Sequence, residues 1–278
     1  MLVIAMDTRY AALITALGFA AILGTFAAQY RAESKTPVQA PAPTGVPAGT
    51  PVEKRFTGTL KITADNTVID GWEITGNIVV EAKNVTIKNT KLLANTYHGI
   101  DILDDSTGFT LVDSEVDGQG VTDNCVLGFG TFLRNDVHGA DHGLQIWGPS
   151  VVRGNYIHDL TSDNADPHFD GIFIGRGHEI EIVGNTIVNH HDQTAAIMMQ
   201  NSAGSLSRIT IDGNVLVGGG YTVYLDARHS DSPIDDASVR ITNNRMGRGT
   251  FGYVSFDLTR PQFSGNVDFS TGAALGAP

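Results

Sequence analysis

The chain has 278 residues, 41% of them apolar, which is enough for one sizeable domain with its own core. With 18 Lys and Arg against 30 Asp and Glu, its net charge of −12 excludes the basic footprint that nucleic acid requires. The single cysteine, Cys125, excludes an intrachain disulfide and a cysteine-built zinc site, and it reads as a small buried apolar residue.

Residues 10–28 carry no charge and follow Arg9. Residues 1–28 therefore read as a signal peptide or a membrane anchor, with Thr25-Phe26-Ala27 as a small-x-small cleavage site. The protein is expected to be secreted, or tethered through residues 10–28 to the outer side of the cytoplasmic membrane. Residues 29–55 are dominated by Pro, Ala, Thr and Gly and read as an extended linker. The folded domain is expected over residues 56–270, and residues 271–278 as a flexible tail.

From residue 57 a short phrase recurs. It appears as Ile69-Asp-Gly-Trp-Glu-Ile74, Ile87-Lys-Asn-Thr-Lys-Leu92, Leu111-Val-Asp-Ser-Glu-Val116 and Val152-Arg-Gly-Asn-Tyr-Ile157. It continues as Ile182-Val-Gly-Asn-Thr-Ile187, Ile211-Asp-Gly-Asn-Val-Leu216 and Ile241-Thr-Asn-Asn-Arg-Met246, with shortened copies ending at Val137 and Val267. Its fourth position falls at Trp72, Thr90, Ser114, Asp136, Asn155, Asn185, Asn214, Asn244 and Asn266, at spacings of 18 to 30 residues. A period of this size means stacked units. Asn and Gly suit a corner that needs left-handed backbone, and the asparagines are expected to form a structural ladder. A second strand follows in each unit, as in Gly99-Ile-Asp-Ile102, Gly143-Leu-Gln-Ile146 and Gly171-Ile-Phe-Ile174. No helical period lies between the strands.

Residues 57–268 thereby resemble the right-handed parallel β-helix (pectate-lyase-like) superfamily. The resemblance implies an all-β, single-stranded right-handed solenoid of about nine turns. It covers polysaccharide lyases, epimerases, hydrolases, phage depolymerases and surface proteins without catalysis, so function must be read from the site.

With Ile100, Leu144, Ile172, Ile197 and Val223 facing inward, His98, His142 and Asp170 are expected in one outward column. Asp101, Gln145, Phe173, Met198 and Tyr224 form the next, and Trp147, Gly175, Gln200, Asp226 and Asp257 a third. Aromatic and hydrogen-bonding side chains in ladders suit a long sugar polymer. The loop carrying Asp166 and His168, and the next corner with His190, His191 and Asp192, concentrate histidine and aspartate beside them.

Two acid–base chemistries fit. A lyase or epimerase would use His142 or His168 as base, with Arg176 or Arg228 stabilising the developing charge. A hydrolase would pair Asp170 with Asp141, Asp166 or Asp226. Clustered aspartates would also suit Ca²⁺.

Asp166-Pro167-His168 is similar to the Asp-Pro-His motif of mannuronan C5-epimerases, which implies catalytic roles for Asp166 and His168. Phe169 and Asp163 depart from that family's pattern. The Asn-Thr-Asp and Arg-Ile-Lys of polygalacturonases and the Trp-Ile-Asp-His of pectate lyases are absent. Most of the negative charge lies in residues 56–199, which disfavours a polyanionic substrate. The reading is a monomeric carbohydrate-active enzyme outside the cytoplasm. A non-catalytic module binding glycan or protein, and a phage-type depolymerase, are the alternatives.

Overall fold

The computed structural model describes Val38 and residues 43–278. The expected signal peptide or anchor lies outside the described residues, among which no helix is long and apolar enough to cross a membrane.

The chain winds as a parallel β-helix with three strand-bearing faces. Nine strands make the first face, running from Val68–Asp70 through Thr110–Val112, Gly177–Val183 and Val239–Thr242 to Gln262–Ser264. They pair in parallel, each with the turn before and after. The second and third faces form one continuous 15-stranded sheet, because Trp72–Val80, Glu115–Gly128 and Asp136–Ile146 run from one to the other. Tyr156–His158, Thr186–Asn189 and Val215–Gly218 belong to the second face; His98–Ile102, Asp170–Ile174, Ala195–Gln200, Tyr221–Asp226 and Gly252–Asp257 belong to the third.

The interior is a set of apolar columns. On the first face Ile69, Ile87, Leu111, Phe132, Val152, Ile182, Ile211 and Ile241 stack and are buried. Stacking like on like excludes water along the whole length of the solenoid.

The corner between first and second faces explains the recurring phrase. Its first residue is left-handed at Gly154, Gly184, Gly213 and Gly265, with φ of 64° to 68°. The next residue turns a polar side chain inward. Asn185 Oδ1 accepts from Asn155 N and Asn155 Nδ2, both at 2.9 Å, while Asn155 Nδ2 also donates to the Phe132 carbonyl at 2.9 Å. The same bonds join Asn185 to Asn214, Asn214 to Asn244 and Asn244 to Asn266. These buried amides satisfy backbone groups that the corner would otherwise orphan. Before Val137 the ladder residue is Asn135, not Asp136, because the phrase there is of full length and begins at Phe132, which pairs with Val152, with Arg134 in the left-handed position.

The third face departs from two-residue alternation, which would send His142 to the same side as Leu144. Gly143 and Leu144 are instead both buried. A Cβ on Gly143 would meet Ile157 Cγ2 at 2.5 Å, and one on Gly171 would meet Ile187 Cγ2 at 2.2 Å, so both positions press on the core. Two consecutive inward residues return His98, His142 and Asp170 to the outward side. Asp101, Gln145, Phe173, Met198 and Tyr224 share one register column.

At the amino end Gly45 N donates to the Arg134 carbonyl at 2.8 Å, and the first strand, Lys54–Ile62, begins two residues before Phe56. At the other end Leu275 packs against the core and its N donates to the Asn266 carbonyl at 2.9 Å.

Candidate functional site

The corner between second and third faces gathers a polar cluster. His98, Asn124, His142 and Asp170 stand in register on four successive turns. Asp123 and Asp141 precede Asn124 and His142, and Tyr97 precedes His98.

Asp170 is 2% exposed. Its Oδ1 accepts from Ala195 N at 3.0 Å, and Oδ2 lies 3.5 Å from His142 Nδ1. Burial holds the Asp170 carboxyl well above the usual range, and the charge of Asp141 acts the same way. Burial, aided by His168, depresses His142 to about 4, so its imidazole is neutral at neutral pH. Burial also raises Asp123, and Asp141 adds to that shift.

Asp141 is at the centre of this group, since its charge is felt by Tyr97, Asp123 and Asp170. Its Oδ2 accepts from Asn164 Nδ2 at 2.5 Å. Asn124 Nδ2 lies 3.2 Å from His98 Nδ1. Four buried atoms here have no hydrogen-bond partner: Thr122 Oγ1, Asn124 Oδ1, Asp141 Oδ1 and His142 Nδ1. Native structures leave few such atoms unmet by protein, water or ligand, and this group of them beside carboxyls of raised proton affinity is the candidate site. None of the charged groups acting on Tyr97, His98, Asp101, Asp123, His142 or Asp170 is a lysine or arginine.

The loop over residues 160–169 covers Asp170. Leu160 and Phe169 anchor it in the core. His191 stacks on Phe169 at 3.6 Å and its Nε2 donates to the Leu160 carbonyl at 2.7 Å. Gln193 donates to the Pro167 carbonyl at 2.9 Å. His191 thus holds the loop in place. Asp166 and His168 are exposed on its outer side, and His168 is close enough for its charge to act on His142; His190 is exposed on the next corner.

The other expected residues are placed differently. Asp101, Gln145 and Phe173 lie half-buried on the third face, with Phe173 5.5 Å from the His142 ring. Arg176 sits over the Trp147 ring at 5.3 Å and reaches Asp104 at 3.5 Å. Arg228 is bound to Asp226 at 2.8 Å and to Asp257 at 3.0 Å. Gln200 pairs in register with Asp226 and donates to Ser202. Trp147, Arg176, Gln200, Asp226 and Arg228 therefore form the far edge of the face, away from His142, where both arginines already have carboxylate partners.

Tyr97, Asp123 and Asn124 are site residues that the sequence reading passed over. The strand holding Asp123 and Asn124 has Cys125 where its neighbours have Gly99 and Gly143, so it does not display the glycine-led phrase. Cys125 is buried, as expected, and burial pushes its thiol up.

A second histidine cluster lies on the second face. His158 has Asp136 and Asp159 at 2.8 Å on its two nitrogens and stacks on Tyr156 at 3.9 Å. His138, 5.2 Å away, lies between Glu115 at 3.5 Å and Asp117 at 3.6 Å, and Lys91 completes the Glu115 pair at 2.7 Å. Among the described residues no three or more His, Cys, Asp or Glu side chains converge as metal ligands would.

Compared with models of protein families, with curated proteins and with solved structures, the chain has no match.

Proposed function

We propose that this β-helix is an extracytoplasmic carbohydrate-active enzyme that cleaves a neutral glycan by acid–base chemistry at the Asp123–Asp141–His142 cluster. The observation that carries the reading is the group of orphaned polar atoms, Asn124 Oδ1, Asp141 Oδ1 and His142 Nδ1, on adjacent turns among carboxyls of raised proton affinity. Asp123, half-buried and raised, is the acid that protonates the glycosidic oxygen. Asp141 takes the proton of the water that attacks the anomeric carbon, so one water is consumed and the proton lost by Asp123 is replaced through Asp141. Burial lowers the proton affinity of His142, which stays neutral in front of Asp170 as a hydrogen-bonding partner for a sugar hydroxyl. A polyuronate would need cations to offset its charge, and both candidate arginines are engaged elsewhere.

A second reading, a lyase or epimerase with His142 as base, is favoured by one observation. Asp166-Pro167-His168, similar to the epimerase motif, lies on the loop whose His168 acts on His142. A panel of neutral and acidic polysaccharides decides between the two. Reducing ends without ultraviolet absorbance support hydrolysis, whereas rising absorbance near roughly 235 nm, from an unsaturated uronate, supports the lyase reading. Silence in both assays on every polymer would sink the hydrolase.

A further inference from the structure

Three aromatic rings stand on the same side of the solenoid, toward its carboxy-terminal end. Tyr221 packs edge-on against Tyr224 at 5.2 Å and lies 5.8 Å from Phe251. Phe251 is 60% exposed, an unusual exposure for so large an apolar side chain.

The turn that carries Phe251 is firmly held. Phe251 N donates to the Gly220 carbonyl at 2.7 Å and Thr250 N to the Gly219 carbonyl at 2.9 Å. Thr250 Oγ1 donates to Asp192 at 3.0 Å, and Arg248 donates to the Phe251 carbonyl at 3.4 Å. The rings rest on glycine. A Cβ on Gly220 would stand 3.3 Å from the Phe251 ring and 3.0 Å from Tyr224 Oη, and one on Gly252 would stand 2.8 Å from the Tyr221 ring. The exposed phenyl is thus fixed in place by backbone before any ligand arrives, which lowers the ordering cost of binding.

This cluster continues the candidate site. The register column Gln145, Phe173, Met198, Tyr224 runs from one to the other. Tyr221 lies three turns beyond Asp141 and Phe251 four. At about 4.8 Å per turn that is roughly 14 to 19 Å, the length of roughly three or four pyranose rings.

We propose that Tyr221, Tyr224 and Phe251 form a sugar-stacking platform that holds a pyranose of a neutral glycan three to four units from the linkage being cleaved. The proposal rests on the reading of the Asp123–Asp141–His142 cluster as a glycan site. Pyranose C–H faces pack on aromatic rings, and the two tyrosine hydroxyls at the rim offer partners for sugar hydroxyls.

Affinity electrophoresis of the full chain through gels of soluble glucan, xylan, galactomannan or polygalacturonate tests this. Wild type is expected to be retarded by at least one neutral polymer. Phe251→Ala and Tyr221→Ala should each weaken that retardation about fivefold, and Phe251→Tyr should restore it. Leu258→Ala, which removes an even more exposed apolar side chain elsewhere, should migrate as wild type. Loss of retardation in Phe251→Ala with no glycan cleaved by wild type would sink the enzymatic reading and keep the platform. Equal retardation of Phe251→Ala and wild type, or no retardation of wild type by any neutral polymer, would overturn the platform itself.

Discussion

Two histidine–carboxylate clusters lie on adjacent faces of this solenoid, and they differ in one respect. Around His138 and His158 all four ring nitrogens have carboxylates within 3.6 Å. Around His142, Nδ1 likewise has the Asp170 carboxylate at 3.5 Å, but it, Asn124 Oδ1 and Asp141 Oδ1 are buried and make no hydrogen bond. The first cluster is closed and holds neighbouring turns together. The second is left open to an incoming partner, water or ligand, since a buried polar atom left unmet costs about 1–3 kcal/mol. Clustered histidines and aspartates alone therefore do not identify a site; their unmet hydrogen bonds do.

The sharpest way to break this comparison is chemical. Asp141→Asn should lower turnover of a cleaved glycan about 100-fold or more while the melting temperature changes little, read by reducing-end release and thermal unfolding.

The clusters should also respond oppositely to pH. His142 is depressed in the fold, so its contribution to stability is full above its unfolded value near 6.5 and is lost as pH falls toward about 4. That loss is about 3 kcal/mol if the whole shift is realised. His138 is raised, chiefly by its bond to Glu115, so its contribution is present below the unfolded value and is lost as pH rises through the folded one. Denaturant midpoints of His142→Ala and His138→Ala, measured from pH 4 to 8, should diverge from wild type in these opposite directions.

Asp170→Asn should be more stable than wild type at neutral pH, read as a higher denaturant midpoint. The raised carboxyl favours the fold only while protonated, and the amide oxygen can still accept from Ala195 N. An unchanged or lower midpoint at pH 8 would show that Asp170 ionises freely. The smallest effect is expected at the closed cluster. His158→Gln should cost about 1 kcal/mol, because the Asp159 half of its pairing is largely exposed.

The outward columns were legible in the sequence because the glycine-led strand phrase repeats in register, and Phe173, Met198 and Tyr224 lie in one column as that phrase implies. The asparagine corner was legible for the same reason, except at Asn135, where the phrase begins at Phe132 and Arg134 stands in the place of the corner glycine. What escaped depends on contacts distant in sequence. The burial of Asp170 comes from a loop held by His191 and Gln193 of the following turn. The engagement of Arg228 comes from Asp257, one turn later. Asp123 escaped because Cys125 takes the place of glycine on its strand. The pairing that closes His158 involves Asp136, twenty-two residues earlier.

The most direct test sets the two clusters against each other in one assay. Reducing-end release from the most readily cleaved neutral polymer would be measured for wild type, Asp141→Asn and His158→Gln. The account predicts that Asp141→Asn keeps about 1% of wild-type turnover and His158→Gln at least about half. Full activity in Asp141→Asn, or equal losses in both variants, would contradict the claim that the open cluster carries the chemistry.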